Sequence, residues 1–147
     1  MIADTFTQWQ SRLVGFCTQI LRNPHDAEEV VQEVFARLVA EPGRYDLGEA
    51  PEVLLFRLAR HRCIDALRKR APRSNTAVEP SVSEQADHED LELALGQLPD
   101  VEREALLLTA VEGLGYREVA GILGCSLGTV AARRYAAIHK LRERLTP

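Results

Sequence analysis

Only three residues, Gly124-Cys125-Ser126, separate two stretches of helical periodicity near the end of the chain. A turn that short reads as a steep join too tight for ordinary helix pairing, with an αα-hairpin that merely packs as the bland alternative. In the first stretch Val119, Ala120, Ile122 and Leu123 repeat on one side, and Gly124 follows where a helix C-terminus calls for a left-handed residue. Ser126 suits an N-cap, because its hydroxyl can accept one of the unpaired amides that open the next helix. That next helix carries Arg133, Arg134, Lys140, Arg142 and Arg144. The pattern is a helix-turn-helix, a unit that sets its second helix into the major groove of DNA with its N-terminal residues nearest the base edges.

A net charge of −4 looks wrong for a DNA-binding chain until the charges are placed along it. Residues 51–73 carry net +5 and residues 127–147 net +4, whereas residues 74–100 carry net −7. Two basic segments therefore alternate with acidic ones, and distribution rather than total charge marks a nucleic-acid footprint. No stretch approaches a membrane span and the N-terminus lacks the pattern of a signal peptide, so a soluble, cytoplasmic protein is expected. Cys17, Cys63 and Cys125 are odd in number and widely spaced. They fit neither a disulfide framework nor a metal site, and read as reduced, buried fillers.

Sustained strand alternation is missing from the sequence, so the expected fold is all-α: two small helical domains, residues 1–71 and 88–147, joined by a flexible linker over 72–87. The first helix runs from about Thr5 to Leu21 on Phe6, Trp9, Leu13, Phe16, Cys17, Ile20 and Leu21. Asn23-Pro24 supplies an N-cap and a first-turn proline for a second helix that runs to about Ala40. One side of it is apolar, through Ala27, Val30, Val31, Val34, Phe35 and Leu38; the other carries Glu28, Glu29, Gln32, Glu33 and Arg37. Pro51 opens a third helix to about Arg70, with Phe56, Ala59, Cys63 and Leu67 as its packing stripe and Arg57, Arg60, His61 and Arg68 on other sides. The linker is rich in Ser, Pro, Ala, Glu and Gln. Beyond it, Leu91, Leu95 and Leu98 mark one helix, and Ala105, Leu106, Leu108 and Val111 the next.

In this order the parts resemble the extracytoplasmic-function group of bacterial sigma factors, which direct RNA polymerase to promoters. Asp26-Ala-Glu-Glu-Val-Val-Gln-Glu-Val-Phe35 is similar to the family's polymerase-binding helix. Leu58-Ala-Arg-His-Arg-Cys-Ile-Asp-Ala-Leu-Arg-Lys-Arg70 is similar to the helix that engages the −10 element. Leu98-Pro99, Arg103-Glu-Ala105, Glu112-Gly-Leu-Gly-Tyr-Arg-Glu-Val-Ala120 and Gly128-Thr-Val130 resemble the −35-reading domain. The resemblance implies core RNA polymerase, promoter DNA and an anti-sigma factor as partners. It places Asp26, Glu29, Gln32, Glu33 and Phe35 at the polymerase. Tyr45, Arg57, Arg60, His61, Arg62 and Arg68 fall at the opened −10 strand, and Ser126, Thr129, Arg133, Arg134, Tyr135 and Lys140 at the −35 element.

Where the family commonly has Lys-Ser-Arg and a further arginine three positions on, this chain has Ala131, Ala132, Arg133 and Ala136. Three frequent DNA-facing side chains are thus replaced by alanine, and a sigma-like decoy that sequesters an anti-sigma factor is a second reading. His25, His61, His88 and His139 form no close ligand set, and no glycine-rich phosphate loop follows a strand. No metal, cofactor or catalytic constellation is expected, and the chain reads as a non-enzyme that lends specificity to another protein's enzyme.

Overall fold

The structure is a computed structural model and describes residues 2–45, 48, 50–70 and 86–145, with the backbone alone for 2–5 and 86–89. Among these residues all regular structure is helical, and the chain divides into two units, 1–74 and 75–147. The expected linker lies, apart from its last two residues, outside the described residues.

The first unit is a three-helix cluster: α1 (Ile2–Leu21), α2 (Pro24–Ala40) and α3 (Pro51–Lys69). Helix α1 begins three residues ahead of the expected Thr5. Two residues separate α1 from α2, so the chain must reverse at once. Arg22 does this with φ 60, a left-handed backbone that side chains disfavour. Asn23 then caps α2, its Oδ1 accepting from the amides of His25 (2.9 Å) and Asp26 (3.1 Å). The apolar side of α2 is buried as its spacing requires, and Trp9, Leu13, Phe16 and Cys17 of α1 are buried in the same unit. Phe6 meets Phe35 edge-on with centroids 4.8 Å apart, and Phe16 meets Phe56 at 5.4 Å, the geometry that aromatic quadrupoles favour.

On α3 the expected stripe needs a correction: Leu55 is fully buried with Phe56, Ala59 and Cys63, while Leu67 is 40% exposed. Strict four-residue spacing advances about 40° per step round a helix of 3.6 residues per turn, so the run from Ala59 through Cys63 drifts off the core by Leu67. Cys17 and Cys63 are both fully buried, as expected of fillers, whereas Cys125 is only half-buried. A hydrogen bond with the Cys63 thiol, and burial after it, push the Cys17 thiol far above its ordinary range, so it stays protonated.

The second unit consists of α4 (Ala86–Gly96), α5 (Asp100–Leu106), α6 (Tyr116–Leu123) and α7 (Leu127–Leu145), with a wide π turn, Leu107–Val111, continuing α5. Leu98, Leu106 and Ala137 form one cluster, with Leu95, Ile138 and Leu141 packed on it. Two expected core positions differ. Ala94 is buried where Leu91 is 40% exposed, and Val111 is 67% exposed. The π turn accounts for Val111: closing through Glu112 N–H to Leu107 O (2.9 Å), it places one more residue in the turn and changes which side chains face inward. Thr109 takes the inner place, its hydroxyl donating to Ala105 O at 2.7 Å.

Among the described residues Arg103 is the largest fully buried side chain, at 2% exposure. It donates to Leu98 O at 2.9 Å and to Asp100 Oδ1 at 2.5 Å. It thereby satisfies carbonyls that the Leu98-Pro99 break strips of helical partners.

Candidate nucleic-acid interface

The turn between α6 and α7 is built as its residue types dictate. Gly124 adopts φ 69, ψ 40, and its amide closes on Ala120 O at 2.8 Å. Ser126 Oγ accepts the Thr129 amide at 3.1 Å and lies 2.9 Å from Thr129 Oγ1. Both hydroxyls are thus engaged in starting α7.

Downstream, the exposed side of α7 runs through Gly128, Ala132, Tyr135 and His139. It offers small residues and then a ring stack: Tyr135, 74% exposed, lies parallel to His139 at 6.4 Å. Arg133 is half-buried, with Nη1 3.9 Å from Cys125 Sγ. Arg134 reaches back to α6, donating from Nη1 to the Tyr116 hydroxyl at 3.2 Å. Lys140 is tied to α5, its Nζ 2.8 Å from Glu102 Oε1. The six expected contacts therefore belong to one helix and its cap, but they share neither one end nor one role.

In the first unit the basic residues of α3 also separate. Arg57, His61 and Arg68 fall within about 40° of one another on the helix. All three are exposed, and among the described residues none has an ion pair. Arg62 lies roughly 140° round from Arg57. Its Nη2 lies 2.6 Å from Glu33 Oε2 on α2. Arg70 turns to α2 likewise, bonding Asp26 and, at 3.5 Å, Leu21 O. Arg60 is half-buried, and Tyr45 lies half-buried with the Arg44 guanidinium 5.5 Å over its ring.

The expected polymerase residues of α2 divide in the same way. Glu29 and Gln32 are exposed, Glu29 with His25 Nε2 at 3.4 Å. Asp26 and Glu33 hold the α3 arginines just described. Phe35 is only 4% exposed and packs on Phe6, so it supports the surface from beneath. Beside it lies a feature the periodicity did not single out, an open apolar groove lined by Phe6, Gln32, Phe35, Ala36 and Val39. Val39 is 61% exposed there. An apolar residue at the end of an otherwise charged side was the only sequence signal for it.

One helical unit with exposed cations on α3 and a second built round a helix-turn-helix have the features of a DNA-binding protein. The comparisons with known proteins make this specific. The family profile for Sigma-70 region 2 matches residues 5–73, and that for Sigma-70, region 4 matches residues 88–141. RNA polymerase sigma factor CarQ of Myxococcus xanthus is 32% identical, over 97% of this chain and 87% of its own. The ECF RNA polymerase sigma factor SigW of Bacillus subtilis is 26% identical, over 97% and 88%. Among solved structures, the sigma factor RpoE in complex with the anti-sigma factor NepR from Bartonella quintana matches with a TM-score of 0.82 and 25% identity, over 97% of this chain and 95% of that one. The chain belongs to the sigma-70 family, as a sigma factor of the extracytoplasmic-function (ECF) type.

Proposed function

We propose that this chain binds core RNA polymerase, directs initiation at promoters of its own, and divides that work between its two units. The observation that carries the division is that the first unit leaves Arg57, His61 and Arg68 exposed on α3, whereas the second presents the capped start of α7, with Arg133 and Arg134 flanking its exposed side. Duplex reading needs a helix in the major groove, and α7 with its capped N-terminus meets that need. Capturing an opened strand needs cations for phosphates and planar groups for unstacked bases. Arg57, His61 and Arg68 supply them, and Arg60 on the same helix and Tyr45, shortly before it in sequence, are assigned to the same role.

The polymerase contact is assigned to α2: Glu29, Gln32 and Glu33 complement a basic partner surface, and the apolar groove at Ala36 and Val39 adds contact area that polar residues alone lack. Asp26 and Phe35 hold that surface in place. In this reading the protein contributes no catalytic group and lends specificity to the polymerase, in the cytoplasm where the polymerase works. The complex of RpoE with NepR supports an anti-sigma factor as a further partner.

Multi-round transcription from a genomic fragment library with purified core polymerase, with and without this chain, tests the reading. Discrete new start sites are expected. Tight anti-sigma binding with no new start sites would replace it by the decoy, which Ala131, Ala132 and Ala136 motivate.

A further inference from the structure

The two arginines at the start of α7 are neighbours in sequence, but the fold treats them differently. Arg134 lies about 40° round the helix from the buried Val130 and about 100° from the exposed Tyr135. It is thus turned toward α6 and away from the exposed side. There its guanidinium stands 5.7 Å over the Tyr116 ring and donates to the Tyr116 hydroxyl at 3.2 Å. Tyr116 is 38% exposed, so the pair lies open to solvent on the flank of the helix-turn-helix.

A third cation follows Tyr116 in sequence. Arg117, next to Tyr116 on the first turn of α6, is exposed and has no ion pair among the described residues. Its nearest acid in sequence, Glu118, is already occupied, with Oε1 accepting the Gly115 amide at 3.1 Å.

In a helix-turn-helix the first helix crosses the DNA backbone while the second enters the groove. A cation fixed on the first helix's side therefore meets phosphate, not base edges. We propose that Tyr116 and Arg134 form a phosphate clamp, assisted by Arg117, and that Arg134 sets the register of α7 on the duplex without reading a base. The Tyr116 hydroxyl accepts from Arg134 and keeps its own proton to donate to the same phosphate. Arg134 retains four further N–H donors for phosphate oxygens. This inference rests on the reading of α7 as the −35 helix and assigns base discrimination to Arg133 and the exposed side.

The test uses holoenzyme reconstituted from core polymerase and the full chain, on promoter duplexes selected by the parent from a library randomised at −35. Affinity is measured across a potassium chloride series, and base preference by re-selection. Arg134→Ala is expected to weaken binding to every sequence on the order of ten-fold, lower the salt slope by about one, and leave the preference unchanged. Tyr116→Phe, which keeps the ring and the packing, should reproduce part of the uniform loss. Arg133→Ala serves as the contrast and should relax preference at one or more positions.

Relaxed preference in Arg134→Ala or Tyr116→Phe would overturn the clamp by making Arg134 a base reader. Unchanged affinity and slope in both, with Arg133→Ala impaired, would also overturn it while leaving the −35 reading intact. If all three variants bind and select as the parent does, the −35 reading fails and the clamp with it.

Discussion

Helices α3 and α7 are each 19 residues long and each carries a cluster of arginines, yet the two solve different problems. On α3 the cations separate by face: Arg57, His61 and Arg68 stay exposed, while Arg62 and Arg70 are drawn across to the acids of α2. On α7 they separate along the length: Arg133 and Arg134 lie near the start, and Lys140, eleven residues past Thr129, is held by Glu102 of α5. Positive charge on a helix is therefore a supply that the acids of neighbouring helices divide first. In the function proposed above, the unclaimed cations of α3 are the ones offered to the opened strand.

The two units also differ in what lies beneath these helices. Among the described residues, the buried polar and charged side chains, Arg103, Glu104 and Thr109, all belong to the second unit. The largest expected effect follows from this. Arg103→Met should cost about 3 kcal/mol in the second unit, because it leaves buried carbonyls without donors. The single tryptophan, Trp9, lies in the first unit and separates the two transitions. Helical circular dichroism should then fall at a lower temperature while the Trp9 emission transition stays in place. Coincident shifts in both signals would show that the units do not differ in this respect.

A functional contrast within α3 comes next. Replacing Arg57 and His61 together by alanine should reduce permanganate reactivity of opened promoter thymines about ten-fold, since it removes unclaimed cationic and planar groups. Arg62→Ala, which removes a cation already engaged by Glu33, should change it far less. Equal losses would erase the division between free and claimed cations.

Smaller effects sharpen the comparison of backbone devices. Gly124→Ala places a side chain at φ 69 and should destabilise the second unit by about 1 kcal/mol. Arg22 already occupies such a backbone at the end of α1, so Arg22→Gly should stabilise the first unit by a similar amount, read from Trp9 emission in urea. The smallest effect belongs to the Glu33–Arg62 pair. Both partners are partly exposed, and a double-mutant cycle should return a coupling below about 1 kcal/mol that disappears in high salt.

How much of this was legible in the chain depends on the range of the interaction concerned. Gly124, Ser126, Asn23 and Pro51 announce the helix boundaries because capping is settled between residues two to five apart. The order of motifs from Asp26 to Val130 carried the resemblance to the family, and helical periodicity without sustained strand alternation gave the all-α class. Periodicity also located most of the core, and failed where a regular helix was the wrong ruler: at Leu67, where constant spacing drifts, and at Val111, where the π turn changes the residues per turn.

The assignment of individual charges was out of reach, because their partners are distant in sequence: Glu33 with Arg62, Asp26 with Arg70, Glu102 with Lys140, Tyr116 with Arg134. Each of these pairs is formed only once helices pack, and helical periodicity says which side a residue occupies without saying which neighbour comes to face it. The sequence by itself determined two helical units, a helix-turn-helix and two basic helices. Only the tertiary structure decided which cations find partners within the protein and which stay unpaired at its surface, because that choice is made by contacts 18 to 44 residues apart.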